Sequence, residues 1–201
     1  MKKGYNLAIK QKTTTEIYDG IAALTVDDNP ELLTITNIAK RSGYSIGNIY
    51  HHFKNIDDII DSFAIDRIKK KTDEFIEFIN NAPSTQTATE FLKLLIDINF
   101  NLMRNKMPKV MLITIANKVY NRPHVIKKIH EINLSAIDPF EAMIKRNETN
   151  TFKNLTHQEI QLAMLLFSNS IRLPFVLNHK LTLTKSHQDL SLAIGLALFA
   201  K

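Results

Sequence analysis

The sequence predicts an all-α protein, and three observations predict it. Apolar residues recur about every three to four positions through most of the chain, the spacing that lines one face of a helix. Turn formers are scarce: the 201 residues include five Gly and six Pro. Helix-start signals recur at Thr13-x-x-Glu16, Asn55-x-x-Asp58, Thr87-x-x-Glu90 and Thr156-x-x-Glu159, where a capping side chain precedes a carboxylate able to reach back to it. At this length the chain forms one large or two modest domains, and its 44% hydrophobic content suffices for a real core. The absence of Cys removes disulfides and thiolate chemistry. Met1-Lys2-Lys3 is not followed by the apolar stretch of a signal peptide, and no uninterrupted apolar run is long enough to span a bilayer. The expectation is a soluble cytoplasmic protein.

Residues 1–12 read as a mobile arm. The Thr13 box then starts a first helix that runs toward Val26, with Ile17, Ile21 and Leu24 as its inner stripe. Asp27-Asp28-Asn29-Pro30 breaks it. The stretch from Thr34 to Lys54 follows, and it reads as two short helices joined by a tight turn. Ile38 and Ala39 face inward from the first helix, and Ile49 and Phe53, one turn apart, from the second. Thr34 and Ser45 stand at the two N-cap positions, and Gly43 stands where the chain must turn through a left-handed conformation. Helix, glycine-containing turn, helix is a helix-turn-helix pattern. In its second helix Gly47, Asn48 and His51 share a face opposite Ile49 and Phe53. Asn48 suits bidentate pairing with adenine, and His51 can donate to a base or a phosphate. Tyr50 and His52 flank that face within reach of phosphates, which position a reader without specifying sequence.

The net charge of +6 lies elsewhere. Residues 1–80 carry 11 Lys+Arg against 12 Asp+Glu, and residues 81–201 carry 15 against 8. The overall basicity is therefore no argument for nucleic acid, and the basic residues that bear on a reader are local ones: Lys10, Lys12, Lys40, Arg41 and Lys54.

Thr34-Ile35-Thr36-Asn37-Ile38-Ala39 together with Ser42-Gly43-Tyr44-Ser45-Ile46-Gly47-Asn48-Ile49-Tyr50-His51-His52-Phe53 resembles the DNA-binding signature of the TetR/AcrR family of bacterial transcriptional regulators. The resemblance covers roughly residues 12–60. It implies a three-helix DNA-binding domain completed by the first helix, a C-terminal helical bundle that binds a ligand and dimerises, and a homodimer on a double-stranded DNA operator. Carried onto this chain, the DNA-binding positions are Thr34, Thr36, Ser45, Ile46, Gly47, Asn48, Tyr50, His51, His52 and Lys54. Two positions depart from the family's pattern. Ile56 stands where a lysine is usual, so Lys54 is the expected substitute, and Thr36 stands where a longer polar side chain is common.

The implied division is residues 1–55 for the reader, a linking helix over about 56–80, and residues 81–201 for ligand binding and dimerisation. Asn80-Asn81-Ala82-Pro83-Ser84 marks the boundary. Beyond it the pattern gives a helix from Thr87 to about Asn105, one from Pro108 to about Asn121, one from His124 to Lys145, a polar loop over 147–154, an apolar helix from Ile160 to Leu177 interrupted by Pro174, and a last helix from Leu190 to Phe199. The last two helices are apolar around much of their circumference, so both faces need cover. The resemblance places a dimer interface there, at Leu166, Ser170, Leu190, Ala193, Ile194, Ala197 and Leu198. Met and aromatic residues of the middle helices, which also suit an ordinary core, supply the implied ligand pocket: Phe91, Met103, Met107, Met111, Tyr120, Phe140, Met143, Phe167 and Arg172.

No Gly-rich phosphate loop, metal-binding His-Glu-x-x-His or nucleophile motif is found, so neither an enzyme nor a cofactor or metal is expected. The expected function is a ligand-responsive regulator, most simply a repressor released from a palindromic operator by a small molecule. The alternative is a TetR-like dimeric ligand-binding protein without sequence-specific DNA binding.

Overall fold

The computed structural model describes the backbone of residues 2–105, 109–177 and 185–201, and the side chains of residues 9–100, 114–171 and 185–201. The described residues are helical, in the order α1 Lys2–Thr25, α2 Ile35–Ser42, α3 Ile46–His52, α4 Ile56–Asn81, α5 Ala88–Asn105, α6 Lys109–Tyr120, α7 Pro123–Leu134, α8 Ile137–Arg146, α9 His157–Leu177 and α10 Lys185–Phe199, with a single 3₁₀ turn at Pro30–Leu32. The chain gathers into two compact units. The first comprises Met1–Asp66 and Pro108–Val125, the second Arg67–Met107 and Ile126–Lys201.

The first unit is built on the packing of α1 against α2 and α3. Ile17, Ile21 and Leu24 of α1 are buried with Ile38 and Ala39 of α2, Ile49 of α3 and the following Phe53, and Ile59, Ile60 and Phe63 of α4. Tyr18 meets Phe53 and Phe63 at ring-centroid distances of 6.1 and 6.0 Å. Residues 108–125 join this unit through ion pairs. Arg122, on the turn between α6 and α7, bonds the Asp57 carboxylate at 2.8 Å and the Asp57 carbonyl at 3.1 Å, and it also pairs with the buried Asp61. Burial opposes the guanidinium charge, but the hydrogen bonds and attraction of Asp57 and Asp61 outweigh it and hold the group above its ordinary pKa.

The second unit is organised around phenylalanines. Phe91 lies 5.2 Å from Phe78 and 6.0 Å from Phe140, and Phe199 lies 5.2 Å from Phe140 and 5.9 Å from Phe167. Gly195 lets α10 close on this cluster: a Cβ there would stand 2.7 Å from a Phe167 ring carbon. Thr87 and Glu90 exchange the two bonds of a capping box at the start of α5, and Thr156 and Glu159 do the same before α9. Arg146 caps the other end of α4, donating to the carbonyls of Ile79, Asn80 and Ala82.

Three expectations need correction: the arm, the helix start at Thr13 and the single helix over 124–145. The expected arm is helix, since α1 begins at Lys2. The run from Leu7 to Lys12 holds good helix formers and no Pro. Thr13 is then an interior residue with a buried side chain, and Glu16 accepts the hydroxyl of Tyr44 instead of closing a box. The helix expected over 124–145 is two helices, split at Ser135-Ala136. Pro139 explains the split: it has no N–H for the Ser135 carbonyl and its ring crowds that carbonyl, so it fits only in a first turn. α9 continues past Pro174 to Leu177, the bound expected for it. The loop over 147–154 is tied to the chain's end: Lys153 donates to the Phe199 carbonyl at 2.8 Å and Lys201 to the Thr151 carbonyl at 2.9 Å.

Candidate nucleic-acid interface

Local chemistry sets the geometry of α2 and α3. The Thr34 hydroxyl accepts from the Asn37 amide at 3.3 Å, and the Ser45 hydroxyl from the Asn48 amide at 3.1 Å, so each helix starts on a capped turn. Gly43 ends α2 with φ at 75°, in the left-handed region where other residues are strained. Phe53 ends α3 in an extended conformation. Asn55 then accepts from the Asp58 amide at 2.8 Å while Asp58 accepts from the Lys54 amide at 2.9 Å, a capping box that opens α4 directly after the reader.

With Ile49 and Phe53 buried, the opposite side of α3 presents Ile46, Gly47, Tyr50 and His51, all exposed. Ile46 is 39% exposed and Tyr50 52%, high values for apolar or aromatic side chains that no neighbour covers. Thr34, Thr36, Ser45 and Lys54 are exposed around this face. Asn48 and His52 are only half-buried edge residues, one turn apart. Their Asn48 Oδ1 and His52 Nδ1 atoms are buried and have no hydrogen-bond partner among the described residues. The division between centre and flank therefore differs from the sequence expectation: Tyr50 lies at the centre and Asn48 toward the edge. Burial, followed by the nearby positive charges of Lys10 and His51, pushes the His52 imidazole below its ordinary pKa. Lys10, read as part of the arm, thus stands on α1 within electrostatic reach of the end of α3. Arg41 is engaged by Asp27 at 2.9 Å.

The residues expected in the effector pocket fall into three groups. Phe91, Phe140, Met143 and Phe167 are buried together in the second unit. Tyr120 is 38% exposed and belongs to the first unit. Met103, Met107, Met111 and Arg172 lie outside the described side chains. Two of the cavities lined by described residues of the second unit, of about 420 and 280 Å³, share part of their lining. Phe140 and Phe167 line the smaller one. Sequence reasoning missed lining residues such as Phe75, Leu92 and Leu134, because they come from three different helices.

Of the expected interface residues, Leu190, Leu166, Ala193 and Ala197 are exposed, while Ser170, Ile194 and Leu198 are half-buried. Leu162 and Leu165 extend the exposed apolar side of α9. On the same unit Asp138, Glu141 and His157 bring metal-ligand atoms within 4.8 Å of one another. Glu141 is engaged there by Lys145 and by His157 at 2.9 Å, bonds that hold its carboxyl below its ordinary pKa. The arrangement acts as a hydrogen-bonded clasp between α8 and the first turn of α9. No described helix is long and apolar enough to cross a membrane.

Residues 17–63 match the family model described as "Bacterial regulatory proteins, tetR family". The matched span begins inside α1 and ends inside α4, so it contains the whole helix-turn-helix. The module formed by these residues is similar to that of the tetR family. Solved structures extend the likeness in fold to nearly the whole chain. FadR from Bacillus subtilis, in complex with stearoyl-CoA, is 22% identical with a TM-score of 0.58, covering 92% of this chain and 96% of that one. The TetR-family repressor AlkX from Dietzia, implicated in biodegradation of n-alkanes, is 14% identical with a TM-score of 0.64, covering 92% and 94%. SmeT, the repressor of a Stenotrophomonas maltophilia multidrug efflux pump, is 16% identical with a TM-score of 0.61, covering 96% and 92%. No curated protein matches by sequence.

Proposed function

We propose that this chain is a ligand-responsive transcriptional regulator that binds a palindromic operator as a homodimer and is released from it by a small molecule. The observation that carries the reading is the exposed face of α3, formed by Ile46, Gly47, Tyr50 and His51 on a tetR-family module and ringed by Thr34, Thr36, Ser45 and Lys54. In this reading His51 contacts base edges, Asn48 stands at the edge of that contact with its Oδ1 buried, and Tyr50, His52, Lys54 and the two threonines hold the phosphates. Residues 1–55 form the reader, α4 links it to the remainder, and residues 81–201 bind the effector and dimerise.

The exposed apolar side of α9 and α10, with Leu162, Leu165, Leu166 and Leu190, supports an interface there, since patches of this kind on soluble chains mark association sites. A two-fold dimer presents two copies of α3 to successive major grooves. Release is a population shift: the effector favours one of two spacings of the reading helices, by no more than its difference in affinity for them. That FadR holds an acyl-CoA and SmeT is a repressor supports effector control of this kind.

The test is selection of binding sites from a random duplex pool at moderate salt. The expected product is a palindrome whose half-sites are centred about 10 base pairs apart or a multiple of that. Recovery of no motif, with only weak salt-sensitive binding, would overturn the proposal in favour of a TetR-like ligand-binding dimer without DNA specificity. Ile56, half-buried where a phosphate-reaching lysine is usual, is the observation that favours this second reading.

A further inference from the structure

We infer that the second unit takes as its effector a single-chain amphiphile with an anionic head, of which a long-chain carboxylate is the simplest form. This rests on the reading of the chain as an effector-controlled regulator and names the chemistry of its ligand.

The shape of the cavities comes first. Phe75 of α4 and Met164 and Ser168 of α9 line both of them. These three side chains are therefore the partition between two adjoining spaces of about 420 and 280 Å³. Methionine is unbranched and turns about three bonds, so rotation of Met164 joins the spaces into one elongated slot. The joined volume falls within the range of about 300–1,000 Å³ usual for ligand sites. The smaller space is walled by side chains such as Leu92, Phe140 and Phe199, whereas the larger carries a polar rim that includes His130 and Asn133. A long slot with apolar walls suits a flexible hydrocarbon chain better than a compact polycyclic molecule.

The charges come second. Among the described residues that line the two cavities, the titratable side chains are Lys71 and His130, and none is a carboxylate. Ring faces in the slot could attract a lipophilic cation. Such a cation would meet the Lys71 ammonium, whose offsetting carboxylate, Glu74, is not among the described lining residues. An anionic head has a partner in that ammonium. Lys71 is paired with Glu74, which lies outside the lining of both cavities. A bound carboxylate would therefore take over from Glu74. Asn99 stands in the same cavity; its amide donates one hydrogen to the Leu95 carbonyl at 2.7 Å and has a second to give.

The probes are palmitate, hexadecanol and hexadecyltrimethylammonium, each below its micelle concentration, titrated against the full-length protein by calorimetry and thermal unfolding. Palmitate is expected to bind and raise the unfolding temperature, and the alkylammonium is not. Lys71→Met should weaken palmitate by about tenfold, the equivalent of one charge-assisted contact, and leave hexadecanol unchanged. Glu74→Gln should strengthen palmitate. Met164→Trp, which fills the partition, should exclude both chains. If the alkylammonium binds as well as palmitate, or if Lys71→Met leaves palmitate unchanged, the inference fails. Operator selection without any effector tests the regulator reading separately. Operator binding with no response to palmitate would sink only the inference, and palmitate binding without operator binding would sink only the regulator reading.

Discussion

The exposed face of α3 and the cavities of the second unit are both helical, but they are assembled in different ways. The reader is made of consecutive residues on one short helix, so spacing along the chain is spacing in the molecule. Its caps, its glycine and its buried pair are each decided within a few residues. The cavities take side chains from α4, α5, α7, α8, α9 and α10, positions up to about 130 residues apart in the chain. No local rule brings Phe75, Leu134 and Met164 together. The difference teaches that a function presented on one element can be read from sequence, whereas one enclosed between elements needs their packing.

The largest effect is expected at the proposed dimer face. Ala193→Glu with Ala197→Glu puts charge on two exposed positions of α10, which the fold can tolerate and an apolar interface cannot. Sedimentation should show monomers with helical content kept and operator binding lost. A dimer of unchanged stability would remove that interface.

Next is the core under the cavities. Phe91→Ala in the phenylalanine cluster should cost about 3–5 kcal/mol of stability in denaturant unfolding. A cost below about 1 kcal/mol would mean that the cluster is not the packed centre of its unit.

At the reader, His51→Ala should cost about 1–3 kcal/mol of binding to the cognate duplex and much less on random duplex. Equal losses on both would assign His51 to phosphate. Ser45→Ala should cost about 1 kcal/mol of stability through the lost cap of α3. The same stability as wild type would show that packing of Ile49 and Phe53 alone holds the helix.

The smallest effect concerns pH. His52 has a folded pKa below the unfolded value of about 6.5, so the unfolded chain binds its proton first on acidification. Its contribution is fully present above that value and is lost as pH falls from there toward the folded pKa. His52→Gln should flatten stability across that window; a slope identical to wild type would place the titration elsewhere.

Much of the fold was legible where the signal was local. Thr87 with Glu90, Asn55 with Asp58 and Thr156 with Glu159 start helices as their spacing requires. The same rule misled at Thr13 and Glu16, because helix formers upstream carried α1 through them. The break before Ile137 was also visible in principle, since Pro139 announces a first turn, but the apolar periodicity on both sides masked it. Arg122 could not be foreseen as the partner of Asp57 and Asp61, because that pairing spans more than sixty residues. At the candidate interface, the α3 residue types were legible, but the tilt that puts Tyr50 outward and Asn48 toward the edge was not. That tilt follows from Ile49 and Phe53 seating together against α1 and α4.

The central claim is that the exposed face of α3 reads base sequence. The measurement that tests it most directly is site selection repeated with Tyr50→Ala and His51→Ala beside the wild-type protein. His51→Ala should relax base preference at one position, repeated symmetrically in both half-sites, whereas Tyr50→Ala should lower affinity without changing the motif. An unchanged motif for His51→Ala, with affinity lowered equally on all duplexes, would contradict the claim.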